Sequence, residues 1–223
     1  MILTLIDKKT ETKDVNTYVF KSDVYFIWKA GQYLIYSLKH KNQDKRGKMR
    51  FFTISSPPFF KNPSITTRID PVKGSSFKKA LNNLKLGEKI NAKGPDGDFI
   101  IDDFKKSYFF IAQGMGLTPF RSILKQLEFE NKDLDIEFFY SGKDKNIIFK
   151  DEFDSLRLKN LKIKYFIGKR IREKDIISIK DFKKRQFYIS GPDSMVEDME
   201  KILLGLGIKK ENIKSDYFSG YLS

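Results

Sequence analysis

The chain has 223 residues, 40% hydrophobic and 32% charged, which suits one large or two small globular domains. It contains no cysteine, so disulfides, zinc–thiolate sites and cysteine-ligated iron–sulfur clusters are excluded within it. Lysine and arginine outnumber the acids by 43 to 29, and this net charge of +14 favours anionic partners. The lysines are scattered and no nucleic-acid-binding motif is present, so we do not predict nucleic acid as a partner.

Two further exclusions concern metals and membranes. The single histidine, His40, lies in a polar run, and we interpret it as a solvated loop residue. No metal site is predicted. The N-terminus lacks a basic region typical of a signal peptide, and no segment approaches the roughly 20 apolar residues that span a bilayer. We therefore expect a cytoplasmic protein with no membrane span.

The first half of the chain reads as strands with one helix. Short β-branched or aromatic runs, separated by charged or Pro/Gly turns, predict strands over 1–9, 15–22, 31–38, 50–55, 64–70 and 88–99. Phe77, Leu81 and Leu84 have helical spacing, with Ser75 or Ser76 as N-cap. These elements predict an N-terminal antiparallel β-barrel domain over residues 1–103.

The second half alternates between apolar strands and amphipathic helices. Strands are predicted over 107–112, 134–141, 161–168 and 185–191, and helices over 119–130, 149–157 and 194–207. Fully apolar strands between helices imply a parallel sheet that is covered on both faces. We therefore predict a C-terminal α/β domain with a doubly wound parallel sheet over residues 104–223.

Two glycine turns follow strands of this predicted sheet. Gly114 and Gly116 precede a helix that Thr118 is expected to cap. The second turn contains Gly191 and Pro192. Because nucleotides bind at the carboxyl ends of such strands, the two turns predict one shared crevice. The third glycine of the dinucleotide fingerprint is absent, and an ordinary tight turn is the alternative.

In the barrel half, Ser75 and Ser76 stand at the start of the predicted helix. Free backbone N–H groups at a helix N-terminus suit a phosphate. Plain N-capping is the alternative for these serines.

Taken in order, the motifs resemble those of the ferredoxin–NADP reductase superfamily. RFFTISS (50–56) is similar to its flavin-binding pattern of Arg, any residue, Tyr or Phe, and Ser or Thr. Upstream, KAGQY resembles a strand entry of the family, and GSSFKKAL and GPDGDF resemble its later barrel motifs. GMGLTP resembles its nicotinamide-side glycine loop, ISGPDSM its C-G-P-x-x-M motif, and SDYFSGY its aromatic ending.

The resemblance implies FAD as a cofactor and gives the unusual strand at Arg50 a role. Arg50 would pair with flavin phosphate, as a guanidinium suits. Phe52 would lie against the isoalloxazine or ribityl region, and Thr53 would place a hydroxyl near the redox-active edge. Ser55 or Ser56 would add a polar contact. Ser75 and Ser76 would favour the pyrophosphate of FAD over FMN.

The resemblance also implies a nicotinamide site in the second domain. Thr118 and Ser190 would flank the nicotinamide, and Gly114 and Gly116 would make room for it. The motif containing Ser190 adds Gly191, Pro192 and Met195 as cofactor-binding residues. The family usually has cysteine at the position of Ser190, so hydride transfer is expected to be slower here.

The aromatic ending is the last predicted part of the catalytic set. Phe218 is the first choice, and Tyr221 the second, for a ring that covers the flavin face where the nicotinamide must stack. Thr53, Ser190 and Phe218 are thus the predicted catalytic residues. The alternative is that the terminal rings seal the edge of the sheet.

Selectivity between NADH and NADPH is expected after the strand that ends near Ser141. Ser141 and Lys143 could meet a 2′-phosphate, and no acid at that strand end prefers a 2′-hydroxyl. NADPH is therefore slightly favoured over NADH, with a lysine-rich surface loop as the alternative.

These inferences predict a flavoprotein oxidoreductase that passes hydride from NAD(P)H to FAD and electrons to a separate acceptor. The acceptor is a small molecule or an acidic carrier such as ferredoxin or flavodoxin, which the positive charge would attract. The alternatives are an electron-transfer subunit of a larger complex and a non-catalytic basic binding module on the same fold.

Overall fold

The computed structural model of the chain describes residues 1–218. It divides into two compact units. The first comprises Met1–Ile100 together with Arg121–Gln126, and the second comprises Ile101–Phe120 and the chain from Leu127 on. Over the described residues, no helix combines the length and the apolar character needed to cross a membrane.

The first unit is built on one antiparallel sheet with strand order β4-β3-β6-β1-β2-β5. Its strands and its helix are β1 (Ile2–Thr12), β2 (Val15–Ser22), β3 (Tyr33–Ser37), β4 (Met49–Thr53), β5 (Ser64–Arg68), α1 (Ser76–Asn83) and β6 (Lys89–Asp96). Just after β4, the N–H of Ser55 donates to the carbonyl of Ser64 at the start of β5 (3.0 Å). This bond joins the two edge strands of the sheet, β4 and β5, so the sheet forms a nearly closed barrel.

Helix α1 packs on the interior of this barrel. Phe77 and Leu81, four residues apart, lie on one face of the helix and are fully buried. They join strand residues such as Tyr18, Phe20 and Tyr36 in a single apolar cluster. The barrel thus buries alternate residues of its strands, as the predicted pattern requires.

The second unit is a parallel sheet with strand order β11-β10-β7-β8-β9. Its elements are β7 (Tyr108–Gln113), both ends of α2 (Leu117–Phe129, of which Arg121–Gln126 belong to the first unit), β8 (Ile136–Gly142), α3 (Lys150–Asp154), β9 (Leu161–Ile167), α4 (Glu173–Ile177), β10 (Gln186–Pro192), α5 (Asp193–Gly205) and β11 (Ile213–Phe218). On one face, Phe109 and Ile189 pack with Val196 of α5. On the other, Phe138 contacts Phe120 and Phe153. Helices therefore cover both faces, and the predicted fold class is confirmed for both halves of the chain.

The local differences from prediction concern short helices and the last strand, β11, which was not predicted. The helix predicted over 149–157 is one short turn, α3, and Phe149 before it has a left-handed backbone (φ 59°). Helix α4 was not predicted, because five residues are too few to show a helical period.

Candidate functional site

Strand β4 carries two predicted flavin contacts on one of its faces. Arg50 pairs with Tyr36 and Phe52 pairs with Leu34 of β3, and residues two apart along a strand point to the same side. Both lie beside Phe77: the guanidinium carbon of Arg50 is 5.5 Å, and the Phe52 ring centroid 5.9 Å, from the centroid of the Phe77 ring. The structure thus brings Arg50 and Phe52 together next to α1.

The guanidinium of Arg50 is held by the loop that connects β3 to β4, residues 38–48. Its Nη1 donates to the carbonyl oxygens of Arg46 (2.6 Å) and Gly47 (3.2 Å). Its Nη2 lies 3.7 Å from the carboxylate of Asp44, and the side chain is 18% exposed. The cation is therefore fixed in position, and its Nη2 is buried beside the carboxylate of Asp44.

The first turn of α1 also receives this loop. Ser75 is the N-cap, and its Oγ accepts from the N–H of Lys78 (3.2 Å). The N–H of Ser76 donates to Oδ2 of Asp44 (2.8 Å), and the Oγ of Ser76 accepts from the N–H of Asp44 (3.0 Å). Ser75 thus acts as the capping residue that the alternative interpretation described, and Ser76 presents its N–H to an anion.

The position of His40 differs from the prediction of a solvated residue. The ring is partly buried, with its Nδ1 2.8 Å from the carbonyl of Leu38 and its Nε2 2.9 Å from the Oγ of Ser76. It also makes an edge contact with the Phe77 ring. The sequence around His40 did not predict this contact, because the partner Ser76 lies 36 residues away along the chain.

The hydroxyls that follow β4 are buried in the barrel wall. The Oγ of Ser55 is 2.8 Å from the Oγ of Ser64 and 2.8 Å from the Oγ1 of Thr66. The hydroxyl of Ser56 donates to a backbone carbonyl in the following turn (2.8 Å). These bonds help to close the barrel. Thr53, at the end of β4, is 7% exposed.

The two phenylalanines of β4 present very different surfaces. Phe52 is 9% exposed and makes an edge contact with Tyr36. Phe51 points to the opposite side, is 64% exposed and contacts the ring of Tyr33. Sequence reasoning did not single out Phe51, although the alternation along the strand already places it on the face opposite Phe52.

In the second unit, Gly114 and Gly116 form a 3-10 turn between β7 and α2. A Cβ on Gly116 would lie 2.0 Å from the carbonyl oxygen of Ser190, so β10 packs directly on this turn. Gly114 has φ +57°, and no described atom lies within 4 Å of the position of its missing Cβ. Gly116 therefore serves strand packing, whereas Gly114 is the residue with open space beside it.

The predicted cap of α2 is wrong in detail. Helix α2 begins at Leu117 directly from the 3-10 turn, so Thr118 lies inside the first turn. Its Oγ1 donates to the carbonyl of Met115 (3.0 Å), and the residue is 1% exposed. The turn itself supplies the helix start, which leaves no N-cap position for Thr118.

Ser190 lies near the end of β10, between Ala112 of β7 and Asp216 of β11 in register. Its Oγ donates to Oδ2 of Asp216 (3.4 Å), and the residue is fully buried. Asp216 is a polar residue of this site that sequence reasoning missed. No strand was predicted at the position of β11, so the sequence provided no reason to pair Asp216 with Ser190.

The turn after Ser190 is shaped by close packing. A Cβ on Gly191 would lie 2.4 Å from Cε of Met195 and 3.2 Å from the carbonyl oxygen of Gln113. Pro192 immediately precedes α5, which begins at Asp193. The structure therefore brings Gly191 and Met195 together at the end of β10 beside the end of β7.

The ends of β8 and β9 meet at the same edge of the sheet. The Oγ of Ser141 donates to the carbonyl of Lys169 (2.8 Å), and the N–H of Gly168 donates to the carbonyl of Gly142 (2.8 Å). The cations of this edge are thus the predicted Lys143 and also two exposed residues after β9, Lys169 and Arg170. Parallel pairing of β8 with β9 was the signal that could have found them.

The predicted aromatic ending lies at the limit of the structure. The backbone of Phe218 ends β11, where it pairs with Pro192. Tyr221 lies outside the described residues.

Comparison with family models matches both halves of the chain. Residues 2–101 match the oxidoreductase FAD-binding domain, and residues 110–201 match the oxidoreductase NAD-binding domain. Together the two matches cover most of the chain.

Two curated relatives illustrate the similarity. The chain is 27% identical over 224 residues to a subunit of the Na⁺-translocating NADH-quinone reductase of Methylococcus capsulatus, covering 89% of this chain and 53% of that protein. It is 28% identical over 229 residues to the glycine betaine monooxygenase reductase subunit of Pseudomonas aeruginosa, covering 93% and 61%. The chain thus spans less than two thirds of the length of either relative.

Solved structures share the fold. The FAD/NAD-binding domain of nitric oxide dioxygenase from Vibrio cholerae has a TM-score of 0.84 at 21% identity, covering 98% of each chain. Ferredoxin–NADP⁺ reductase from Plasmodium falciparum has a TM-score of 0.78 at 19% identity, covering 97% of this chain and 95% of that one. At these identities the likeness is one of fold.

Proposed function

We propose that this chain, which belongs to the ferredoxin–NADP reductase superfamily, passes hydride from a nicotinamide cofactor to FAD and electrons onward to a separate acceptor. The superfamily is the one predicted from the sequence, and its FAD-binding and NAD-binding domains are both present. The observation that carries the proposal is the anion site beside β4. There, within the FAD-binding domain, the guanidinium of Arg50 and the N–H of Ser76 converge on a carboxylate.

These donors fit the phosphates of FAD. A carboxylate of Asp44 already accepts the N–H of Ser76, so the first turn of α1 can hold an anion. Arg50 would bind phosphate, and Ser75 and Ser76 would fix the start of the helix against it. When bound, FAD supplies the redox chemistry by accepting hydride at N5 and releasing electrons singly or in pairs.

The isoalloxazine contacts would come from the end of β4. Thr53 would present its hydroxyl to the redox-active edge, and Phe52 would support the ring region from the interior. Phe51 adds an exposed ring on the opposite side of the strand. Ser55 supports this segment through its hydroxyl bonds in the barrel wall.

The nicotinamide would bind at the strand ends of the second unit. The open space at Gly114 admits a ligand close to the backbone. Ser190 would orient the reacting ring, with its hydroxyl held by Asp216. A larger set completes this proposed site: Gly116, Thr118, Gly191, Pro192, Met195, Phe218 and Tyr221.

We propose NADPH as the preferred reductant. The edge formed by the ends of β8 and β9 carries Lys143, Lys169 and Arg170, and Ser141 ties the two turns together. A 2′-phosphate carries more charge than a 2′-hydroxyl and gains more from such cations. NADH remains the alternative, because lysines are abundant throughout the chain.

The acceptor is proposed to be an acidic electron carrier, of the ferredoxin or flavodoxin kind. The net charge of +14 would steer such a carrier to the protein. Reduction of the carrier should slow as salt rises, whereas reduction of a small neutral dye should barely change. Equal salt dependence for both acceptors would contradict electrostatic steering.

A second candidate is an electron-transfer subunit whose acceptor lies in a partner chain. It is favoured by the two curated relatives, which are both named as subunits and are both longer than this chain.

The proposed function is tested by flavin binding followed by reduction. The purified protein is titrated with FAD and, separately, with FMN, and its visible spectrum is recorded. We expect a yellow protein with one FAD per chain and weaker binding of FMN. A protein that stays colourless after incubation with FAD would refute the proposal, and tighter binding of FMN would refute the assigned pyrophosphate site.

A further inference from the structure

Asp44 places an internal carboxylate on the donors that the proposed function assigns to the flavin phosphates. Its Oδ2 accepts the N–H of Ser76 (2.8 Å) and the Nη2 of Arg46 (2.8 Å). Its Oδ1 accepts the N–H of Arg46 (3.0 Å) and lies 3.7 Å from Nη2 of Arg50. One carboxylate thus collects a helix N-terminal N–H and two guanidinium groups.

The loop that carries Asp44 is docked on α1 by a reciprocal pair of bonds. Besides the bond to the carboxylate, the Oγ of Ser76 accepts the N–H of Asp44 (3.0 Å). The ring of His40, from the same loop, bonds the same hydroxyl (2.9 Å). The loop therefore covers the start of the helix rather than merely passing near it.

A carboxylate and a phosphate cannot share these donors. Each N–H group donates to one strong acceptor at a time, and two anions that contact the same donors repel each other. Asp44 is partly exposed, with 27% of its side chain accessible, so it can turn into water without burying a charge. The bond from the N–H of Ser76 lowers the pKa of Asp44 to about 2, so its carboxylate keeps the competing charge even in mild acid.

We propose that Asp44 is a built-in competitor for the FAD phosphates, and that flavin binding requires its carboxylate and the 38–48 loop to leave the first turn of α1. Asp44 is then an affinity-setting residue: it weakens FAD binding and stabilises the flavin-free protein. This inference rests on the proposed function, because it takes the same donors as the phosphate site.

The test compares Asp44→Asn with a matched control. Asparagine keeps the size and one acceptor oxygen of Asp44 but removes the charge. The control is Asp14→Asn, because Asp14 also pairs with an arginine, Arg68 (2.8 Å), on the same barrel. FAD dissociation constants are measured by fluorescence titration of the flavin-free proteins at low salt.

We expect Asp44→Asn to bind FAD about tenfold more tightly than wild type, since one charge-assisted contact is released to the ligand. Asp14→Asn should match wild type. The flavin-free Asp44→Asn protein should also melt at a lower temperature than wild type. Unchanged or weaker FAD binding in Asp44→Asn would overturn the proposal, as would equal tightening in Asp14→Asn.

Two further measurements keep the proposal separate from folding defects and from the proposed function. In wild type, hydrogen exchange at the amide of Asp44 should become faster when FAD binds, because its bond to Ser76 is broken; slower exchange would overturn the displacement. If no variant binds FAD, the proposed function fails. Inorganic pyrophosphate is then the probe: tighter binding to Asp44→Asn than to wild type would support the competition, and equal binding would overturn it.

Discussion

The barrel and the parallel-sheet unit present their predicted cofactor residues in opposite ways. In the barrel, the polar groups already have partners within the chain: Ser75 caps α1 and Ser76 bonds Asp44. In the sheet unit, the space beside the backbone is the main difference between the predicted residues. The backbone of β10 occupies the position of a Cβ on Gly116, whereas no described atom lies within 4 Å of that position on Gly114. Ligand affinity should therefore depend on competition for donors in the barrel and on backbone space in the sheet unit.

The largest effect is expected from Gly116→Ala, which tests the role of shape in the sheet unit. The new Cβ would lie 2.0 Å from the carbonyl oxygen of Ser190, which is backbone and cannot turn aside. We expect the free energy of unfolding to fall by about 3 kcal/mol, which is the upper end of the cost of overpacking a core. We also expect nicotinamide binding to be lost. Urea unfolding and NADPH titration measure the two effects.

The matched control is Gly205→Ala at the end of α5, where no described atom lies within 4 Å of the new Cβ. Its stability should stay within about 1 kcal/mol of wild type or rise, because alanine favours helices. Equal losses in both variants would contradict the packing account.

Arg50→Ala tests the donors of the barrel. Loss of one charge-assisted contact costs about 1.5–3 kcal/mol, so the FAD dissociation constant should rise about 10- to 100-fold. Arg68→Ala, which removes a cation from an exposed ion pair on the same barrel, is the control and should bind FAD like wild type. Flavin fluorescence titration measures both. Unchanged binding in Arg50→Ala would remove Arg50 from the phosphate site.

The pair Lys169→Ala and Arg170→Ala, made together, tests the charged edge of the sheet unit. We expect NADPH binding to weaken about tenfold and NADH binding to stay constant, since only NADPH carries the 2′-phosphate. Lys159→Ala, an exposed lysine at the opposite end of β9, is the control. Equal weakening of both nucleotides would argue against a 2′-phosphate site.

Ser190→Cys tests whether the buried hydroxyl limits turnover. By resemblance to the family, a thiol at this position should raise the rate of flavin reduction severalfold while FAD binding stays constant. Ser194→Cys, on the exposed surface of α5, is the control and should leave the rate unchanged. A slower reduction in Ser190→Cys would show that the hydroxyl bond to Asp216 matters more than the identity of the atom at residue 190.

The smallest expected effect is on the stability of the protein in acid, to which Asp44 in the 38–48 loop contributes. The N–H of Ser76 lowers the pKa of Asp44 from 3.8 to about 2 in the folded protein. The stabilisation from this group is therefore present above about pH 4 and is lost as the pH falls towards 2. For a partly exposed pair it should be under about 1 kcal/mol. Urea unfolding at pH 5 and pH 3 should show a smaller drop for Asp44→Asn than for wild type; an equal drop would contradict the shift.

The fold class could be predicted from the sequence because strand and helix patterns appear within short segments of the chain. Alternating strands in the first half and apolar strands between helices in the second predicted the two architectures, both of which are confirmed. At the candidate site, the missed features were contacts between distant residues. His40 meets Ser76 across 36 residues, and Ser190 meets Asp216 across 26. No pattern within a short window reports such pairs.

The candidate site shows the same limit. The motifs predicted binding roles for Arg50 and Gly114, but did not predict which groups surround them. Whether a donor is available depends on a neighbour such as Asp44, and whether a glycine leaves room depends on what packs against it. Thr118 failed as a cap for a related reason, since the preceding 3-10 turn starts the helix by itself.

Hydride transfer from a nicotinamide cofactor to FAD is the step on which the proposed function depends. Anaerobic stopped-flow mixing of the FAD-loaded protein with NADPH, and separately with NADH, tests it most directly by following the visible absorbance of the flavin. We expect bleaching in a single turnover with both reductants, faster or at lower concentration with NADPH. A protein that holds FAD yet keeps its full absorbance with both reductants would contradict the proposed function.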